Sequence, residues 1–260
     1  MDLSIVIPAF KESKKIGADI KAASALLESK HFTGEIIVVD DGSDDGTSEA
    51  AKKAGGSLPT GISLKVIGYE HHRGKGYAVR TGIKETSGGY VMFVDSGRCV
   101  PYGNLLRGLD MLKSGQCDIV HGSRKLRESR IQKPQGWYRQ ICSRIFHWFV
   151  IYVMKIPRTM TDTQCGFKIY RGDIGRKLYS QCISDGFIFD VEVILRARKE
   201  GYGIKEFPIE WTCDRDSRLS PARNLWRVLI ELIRLRRTKR KYKSETIPNN
   251  QNSNDQNNKF

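Results

Sequence analysis

The chain has 260 residues, 39% hydrophobic and 28% charged, with a formal net charge of +15. That is enough for one sizeable domain with its own core, and it is too apolar for a disordered polyelectrolyte. A balance this basic points to anionic partners: nucleic acid, an anionic membrane surface or phosphorylated ligands.

The first half alternates short apolar runs with helical spacing. LSIVIP (3–8) reads as a strand with Pro8 at its exit. Residues 12–29 have helical spacing, with Ile16, Ile20, Ala23 and Leu27 on one face. EIIVVD (35–40) is a second buried strand, and residues 44–54 form a short helix that Asp44 or Asp45 can cap. ISLKVIGY (62–69) is a third strand, residues 76–86 a helix, and YVMFVD (90–95) a fourth strand. A helix near 104–114 and the strand DIVHGS (118–123) follow. Strands apolar on both faces and separated by helices predict a mostly parallel sheet covered on both sides, an α/β fold. Ligands then bind at the carboxyl ends of the strands, where Asp40, Asp41 and Asp95 fall.

Beyond residue 124 the character changes. The stretch 124–144 is strongly basic and reads as a loop entering a helix. Residues 137–155 set Trp137, Ile141, Ile145 and Phe149 on one helical face, and 222–237 form a second amphipathic segment. Such stripes read as core or, with their basic flanks and Trp137, Trp148 and Trp226, as helices lying in a membrane interface. A polybasic run then precedes residues 244–260, whose Asn, Gln and Ser content predicts a disordered tail. No run reaches the ~20 apolar residues of a membrane span. The six cysteines, Cys99, Cys117, Cys142, Cys165, Cys182 and Cys213, form no CxxC pair or metal-ligand spacing. They are expected to be reduced thiols of a cytoplasmic protein with no targeting segment, since Met1 leads almost directly into a strand.

Several motifs carry chemistry. Asp40 or Asp41 can accept hydrogen bonds from a base or ribose, and two adjacent acids exceed what one helix cap needs. HHRGKGYAVRTGI (71–83) opens a helix with Gly74 and Gly76 and adds Arg73 and Lys75, a setting that suits a pyrophosphate. It lacks the third glycine of the dinucleotide fingerprint. Asp95 ends the fourth strand, where a carboxylate can hold a divalent cation bridging two phosphates. Arg124 ends the fifth as a candidate phosphate fork. TDTQCGFKIY (161–170) packs Asp162, Thr163 and Gln164 ahead of a strand. Single histidines such as His121 read as packing groups. The basic residues are not interleaved in any nucleic-acid recognition pattern, so no nucleic acid is expected.

In order, SIVIPAFKE, IIVVDDGSDDGT, RGKGYAVRTGI, VDSG and GSR resemble the family-2 inverting glycosyltransferases of GT-A fold. DTQCGFKIYRGD and FDVEVILRARKEGYGIKEFPIEW are similar to the polyprenyl-phosphate sugar synthases, the dolichyl-phosphate β-glucosyltransferase type in particular. The resemblance spans roughly residues 3 to 236. It implies a Rossmann-like, mostly parallel sheet with helices on both faces plus C-terminal amphipathic helices. The catalytic domain would be 1–240, with interfacial helices near 137–155 and 222–237.

The resemblance also implies roles. Pro8, Phe10 and Glu12 line the nucleotide pocket, Asp41 with Asp40 contacts base and ribose, and Arg73 and Lys75 face the nucleotide. Asp95 matches the first acid of an Asp-X-Asp motif for Mg2+ or Mn2+. Arg124 reaches phosphate, Gln164 borders the acceptor, and Ser217 and Arg218 close over phosphate. Asp95, Arg124 and Arg218 are thereby the candidate catalytic residues. One departure stands out: the second acid of the metal motif is Gly97 here, which predicts weakened or altered metal dependence, with Arg98 as the replacement charge.

The function implied is inverting transfer of a hexose, glucose from UDP-glucose, to polyprenyl or dolichyl phosphate by a protein peripheral on the cytoplasmic face of a membrane. A lipid phosphate has a second pKa of about 6 and needs little help from a base. The alternative is a soluble family-2 transferase with a saccharide or protein acceptor, which requires a carboxylate base such as Asp162 or Asp190. A catalytically dead relative that only binds is a further alternative, motivated by Gly97.

Overall fold

The computed structural model describes residues 1–133, 136–213 and 231. The expected segment 222–237, apart from Glu231, and the tail 244–260 lie outside the described residues. A seven-stranded sheet runs in the order β3-β2-β1-β4-β7-β5-β8. Its strands are β1 (Leu3–Ala9), β2 (Gly34–Asp40), β3 (Ile62–Gly68), β4 (Tyr90–Val94), β5 (Ile119–Ser123), β7 (Phe167–Arg171) and β8 (Ile204–Pro208). β1 and β2 are buried along their whole length, so they show continuous apolar runs rather than alternation. β3 lies at the edge and is half exposed.

Alternate residues of each strand face opposite sides of the sheet. Ile5, Ile7, Ile36, Val38, Met92 and Val94 pack beneath α1 (Ile16–Ser29), α2 (Thr47–Ala54) and α4 (Leu105–Lys113). Val6, Ile37, Val39, Val91 and Phe93 pack beneath α3 (Lys75–Lys84), α6 (Gly172–Ser180) and α7 (Phe189–Lys199). Each such side chain, fully buried, contributes about 1.5–3 kcal/mol. The two-sided burial fixes the register that brings Ala9, Asp40 and Gly68 side by side at one sheet edge.

Two features position the site. The strand order reverses between the parallel neighbours β1 and β4, a switch point that leaves a crevice beyond their carboxyl ends. β7 runs antiparallel between β4 and β5, pairing Val94 with Phe167 and His121 with Lys168. The residues that precede β7 therefore stand at the same edge as those that follow β4 and β5, and Asp162, Thr163 and Gln164 meet Asp95 and Arg124 there.

The expected helices are present with shifted ends. α1 starts at Ile16 rather than residue 12, because Lys11 adopts φ 57° and its neighbours bond to the 43–47 loop. α2 starts at Thr47, after Gly46 at φ 82°; Asp45 still accepts the Thr47 N–H at 3.2 Å. The basic stretch expected as a loop contains β6 (Arg130–Lys133), which pairs with β9 (Glu210–Thr212) as a separate small sheet. α5 (Trp137–Met154) matches the expected first amphipathic segment. Its Phe146, Phe149, Val150 and Met154 pack with Ile188, Val191 and Ile194, so Phe149 belongs to the buried face and not to the outward stripe. Cys117, Cys165 and Cys182 are buried free thiols.

Candidate active site

Asp40 and Asp41 leave β2 buried, and both carboxylates serve the loops around them. Asp40 accepts the Ser43 N–H at 3.1 Å and the Ser48 hydroxyl at 2.5 Å. Asp41 Oδ1 accepts the Tyr69 hydroxyl at 2.7 Å and the Arg73 N–H at 2.8 Å, and Oδ2 accepts the Gly74 N–H at 2.9 Å. His72 Nδ1 lies 2.9 Å from Asp41 Oδ2, and its ring stacks on Phe10 with centroids 4.2 Å apart. Asp41 thus organises the glycine-rich loop. The Arg73 guanidinium lies over the Tyr77 ring, 3.6 Å from its centroid. Pro8 is buried in β1, and the Glu12 N–H is held by Thr47 Oγ1 at 2.8 Å.

Gly74 adopts φ 114°, and a Cβ there would lie 2.5 Å from the Asp185 carbonyl oxygen. Only glycine permits that approach. The Tyr77 N–H bonds the same carbonyl at 3.1 Å, and Arg80 pairs with the Asp185 carboxylate. The 183–186 loop is therefore latched to the start of α3, where Lys75 sits.

Lys75 Nζ stands 2.5 Å from Asp95 Oδ1, across the crevice between β1 and β4. Burial alone would lower this ammonium; Asp95, and behind it Asp190, outweigh that and hold it above its ordinary value. The Asp95 N–H bonds the Gly166 carbonyl at 2.9 Å, and a Cβ on Gly166 would lie 2.0 Å from Asp95 Oδ2. Gly97 (φ 91°) and Arg98 (φ 52°) turn away toward α1, where buried Asp19 accepts their N–H groups at 2.9 and 3.0 Å. Burial pushes the Asp19 carboxyl up to about 6 despite those bonds. The Arg98 side chain is exposed, and Lys75 is the cation paired with Asp95.

This donor set fits a divalent ion poorly. Mg2+ takes one or two carboxylates plus phosphate oxygens, and the single carboxylate here already carries an ammonium. Among the described residues no three His, Cys, Asp or Glu side chains gather as a metal cluster.

Arg124 does not present a free fork. Its Nε and Nη2 bond Asp162 at 2.6 and 2.8 Å, and its guanidinium lies over Trp211. Burial would raise the Asp162 carboxyl, but Arg124 overrides it and holds the group at about 2. Glu206 on β8 fixes the backbone beneath by accepting the Thr161 and Asp162 N–H groups, both at 2.8 Å. Asp190 is buried against Lys168, and burial raises its carboxyl above the ordinary value even so. Gln164 has a buried amide nitrogen with no hydrogen-bond partner among the described residues. His121 is buried edge-on to Tyr170, a packing group as expected. Ser217 and Arg218 lie outside the described residues.

Sequence reasoning missed Asp19, Lys168 and Glu206. Asp19 carried a signal: position 19 falls on the face of Ile16, Ile20 and Ala23, and a carboxylate on a buried stripe demands a partner.

Residues 4–178 match the glycosyl transferase family 2 model. The chain is 31% identical over 229 residues to the dolichyl-phosphate β-glucosyltransferase of Homo sapiens, covering 84% of this chain and 70% of that one. It is 28% identical over 243 residues to the enzyme of the same name from Dictyostelium discoideum, covering 90% and 73%. In fold it is similar to glucosyl-3-phosphoglycerate synthase from Mycobacterium tuberculosis, solved in complex with Mn2+, UDP and glucosyl-3-phosphoglycerate. That likeness has a TM-score of 0.68 at 18% identity and covers 89% of this chain and 78% of that one. The GT-A sheet, the loops at its carboxyl edge and the family match agree: the chain belongs to glycosyl transferase family 2 and is a glycosyltransferase.

Proposed function

We propose that this glycosyltransferase moves glucose from UDP-glucose to a polyprenyl phosphate, of which dolichyl phosphate is one, at the cytoplasmic face of a membrane. The observation that carries this reading is a cavity of about 690 Å³ beside α5. Lys125, Arg144 and Arg158 line it together with His147, Trp148 and Tyr152. Cations set among aromatic rings suit an anionic headgroup on an apolar chain. Burial holds the Lys125 ammonium below its ordinary value, so an arriving phosphate gains a strengthened partner. Lys125 is the next residue after Arg124, which pairs with Asp162.

The outward face of α5 extends the same argument. Trp137, Ile145 and Trp148 are 75%, 61% and 58% exposed, and Ile141 and Tyr152 continue the stripe. An apolar stripe of this size flanked by basic residues suits the boundary of an anionic leaflet. No helix among the described residues is long and apolar enough to cross a membrane.

The chemistry favours a phosphate acceptor over a hydroxyl. A hydroxyl needs a general base. Asp162 is held near 2 by Arg124, and Asp190 is committed to Lys168, so both candidate bases are engaged. A phosphate monoester is already largely dianionic at neutral pH, its second pKa being about 6. Its oxygen attacks the anomeric carbon in line, the bond to the leaving diphosphate breaks, and the configuration inverts. The protein's part is positioning and charge stabilisation. The unmet Gln164 amide supplies a donor on the acceptor side, and Phe10, Arg73 and the Asp41-held loop frame the nucleotide. By the family resemblance, Ser217 and Arg218 close over phosphate.

Transfer of radiolabelled glucose from UDP-glucose tests the reading, with polyprenyl phosphate in detergent set against saccharide and protein acceptors. Label in the lipid phase is the expected result. Label in a soluble glycan or protein would overturn it.

A further inference from the structure

The similar fold from Mycobacterium tuberculosis was solved with Mn2+ and UDP; in this chain a lysine, Lys75, stands on Asp95. We propose that the Lys75 ammonium, and no divalent ion, supplies the positive charge that receives the donor's diphosphate. The proposal rests on the nucleotide-sugar reading above.

Five observations converge on it. Gly97 contributes no side chain, and its N–H is turned back to Asp19. The remaining acid, Asp95, is already paired with Lys75 at 2.5 Å. Gly166 backs Asp95 closely: a Cβ there would lie 2.0 Å from Asp95 Oδ2. Lys75 is the first residue of α3, whose N-terminal end favours anions, and the Arg80–Asp185 latch fixes that end. Phe93 and Phe189 flank the ammonium at 5.8 and 5.9 Å, a low-dielectric wall that strengthens its field.

In the reaction the bond from the anomeric carbon to the leaving phosphate oxygen breaks, and its electron pair stays on that oxygen. Lys75 donates a hydrogen bond to the diphosphate and keeps its proton. The acceptor phosphate oxygen forms the new bond. The acceptor loses one negative charge and the departing nucleotide gains one, so no proton must move and no co-reactant is required.

The test is calorimetric titration of UDP into the full chain, first with EDTA and then with Mn2+. Mn2+ binding is followed separately by electron paramagnetic resonance. The expected affinities agree within about twofold in the two arms, and UDP recruits no Mn2+ to the protein. K75M should weaken UDP by about tenfold or more, while K75R should restore binding to within about threefold. Circular dichroism checks that each variant is folded. Affinity that rises about tenfold with Mn2+ overturns the proposal, as does a folded K75M that binds UDP unchanged. Absence of UDP binding in both arms overturns the nucleotide reading and this proposal with it; binding that requires Mn2+ overturns this proposal alone.

Discussion

Arg124 grips Asp162 through two parallel hydrogen bonds, and the Arg124 backbone N–H adds a third to the same carboxylate at 3.1 Å. The two residues are 38 positions apart. The pair ties the end of β5 to the segment entering β7. The Arg124 guanidinium is thereby engaged and is not a free fork.

Breaking this pair should be costly. Arg124→Met leaves Asp162 buried without its partner, and the expected loss is about 3–5 kcal/mol in urea melts at neutral pH. The sign with pH follows from the depressed carboxyl. Its stabilisation is complete above the ordinary value of 3.8 and is lost as pH falls through about 2. Wild type should therefore lose its advantage over the variant below about pH 3. A variant within about 1 kcal/mol of wild type at neutral pH would show that the pair carries no such load.

Asp41→Ala strips the 73–74 backbone of its acceptor. Each orphaned N–H costs about 1–3 kcal/mol if the loop stays put. The loop should move instead, and amide exchange at Arg73 and Gly74 should quicken while the β1 and β2 amides stay protected. UDP affinity should fall by about tenfold, because Lys75 is carried on this loop. Unchanged exchange at these two amides would mean that Asp41 serves the ligand and not the loop.

Asp19→Asn isolates one titration. The native carboxyl stands at about 6 and the ordinary value is 3.8, so the folded state binds the proton more tightly. Its contribution to stability is full below the ordinary value and lost as pH rises through about 6, on the order of 3 kcal/mol in all. The difference in stability between wild type and the asparagine variant should therefore move in favour of the variant from about pH 4 to about pH 6. A difference that stays level across that interval would place Asp19 at its ordinary pKa.

The sequence made the parallel core legible because burial on both faces leaves continuous apolar runs, as in IIVVD and MFVD. Asp41, Asp95 and the glycine-rich loop were legible because acids and glycines at strand ends have few other uses. The direction of β7 was not. FKIY is apolar on both faces whichever way it runs, and only its neighbours β4 and β5 decide. β6 was hidden for a similar reason: its partner β9 lies about 80 positions away, and nothing local in RIQK announces the pairing. The engagement of Arg124 by Asp162 depends on that antiparallel insertion, so it could not be read before the sheet order was known.

The outward stripe of α5 separates a docking face from core. Ile145 and Trp148 are mostly exposed and point away from the side that packs Val150 and Met154 on α7. Replacing both with glutamate removes apolar area and adds negative charge without touching the buried face. Stability should change by less than about 0.5 kcal/mol per site, as for other surface positions. Flotation with vesicles containing anionic lipid should fall by about tenfold or more, because apolar burial and attraction to the leaflet are lost together. Lysine at the same two positions sorts the contributions: it removes the apolar area but keeps the attraction, so it should fall between wild type and the glutamate variant. If the glutamate variant floats like wild type, α5 does not rest on the membrane, and its aromatic stripe must cover another surface. If instead it melts several degrees lower, the stripe is packing in solution, and the exposed face is not exposed in the working protein.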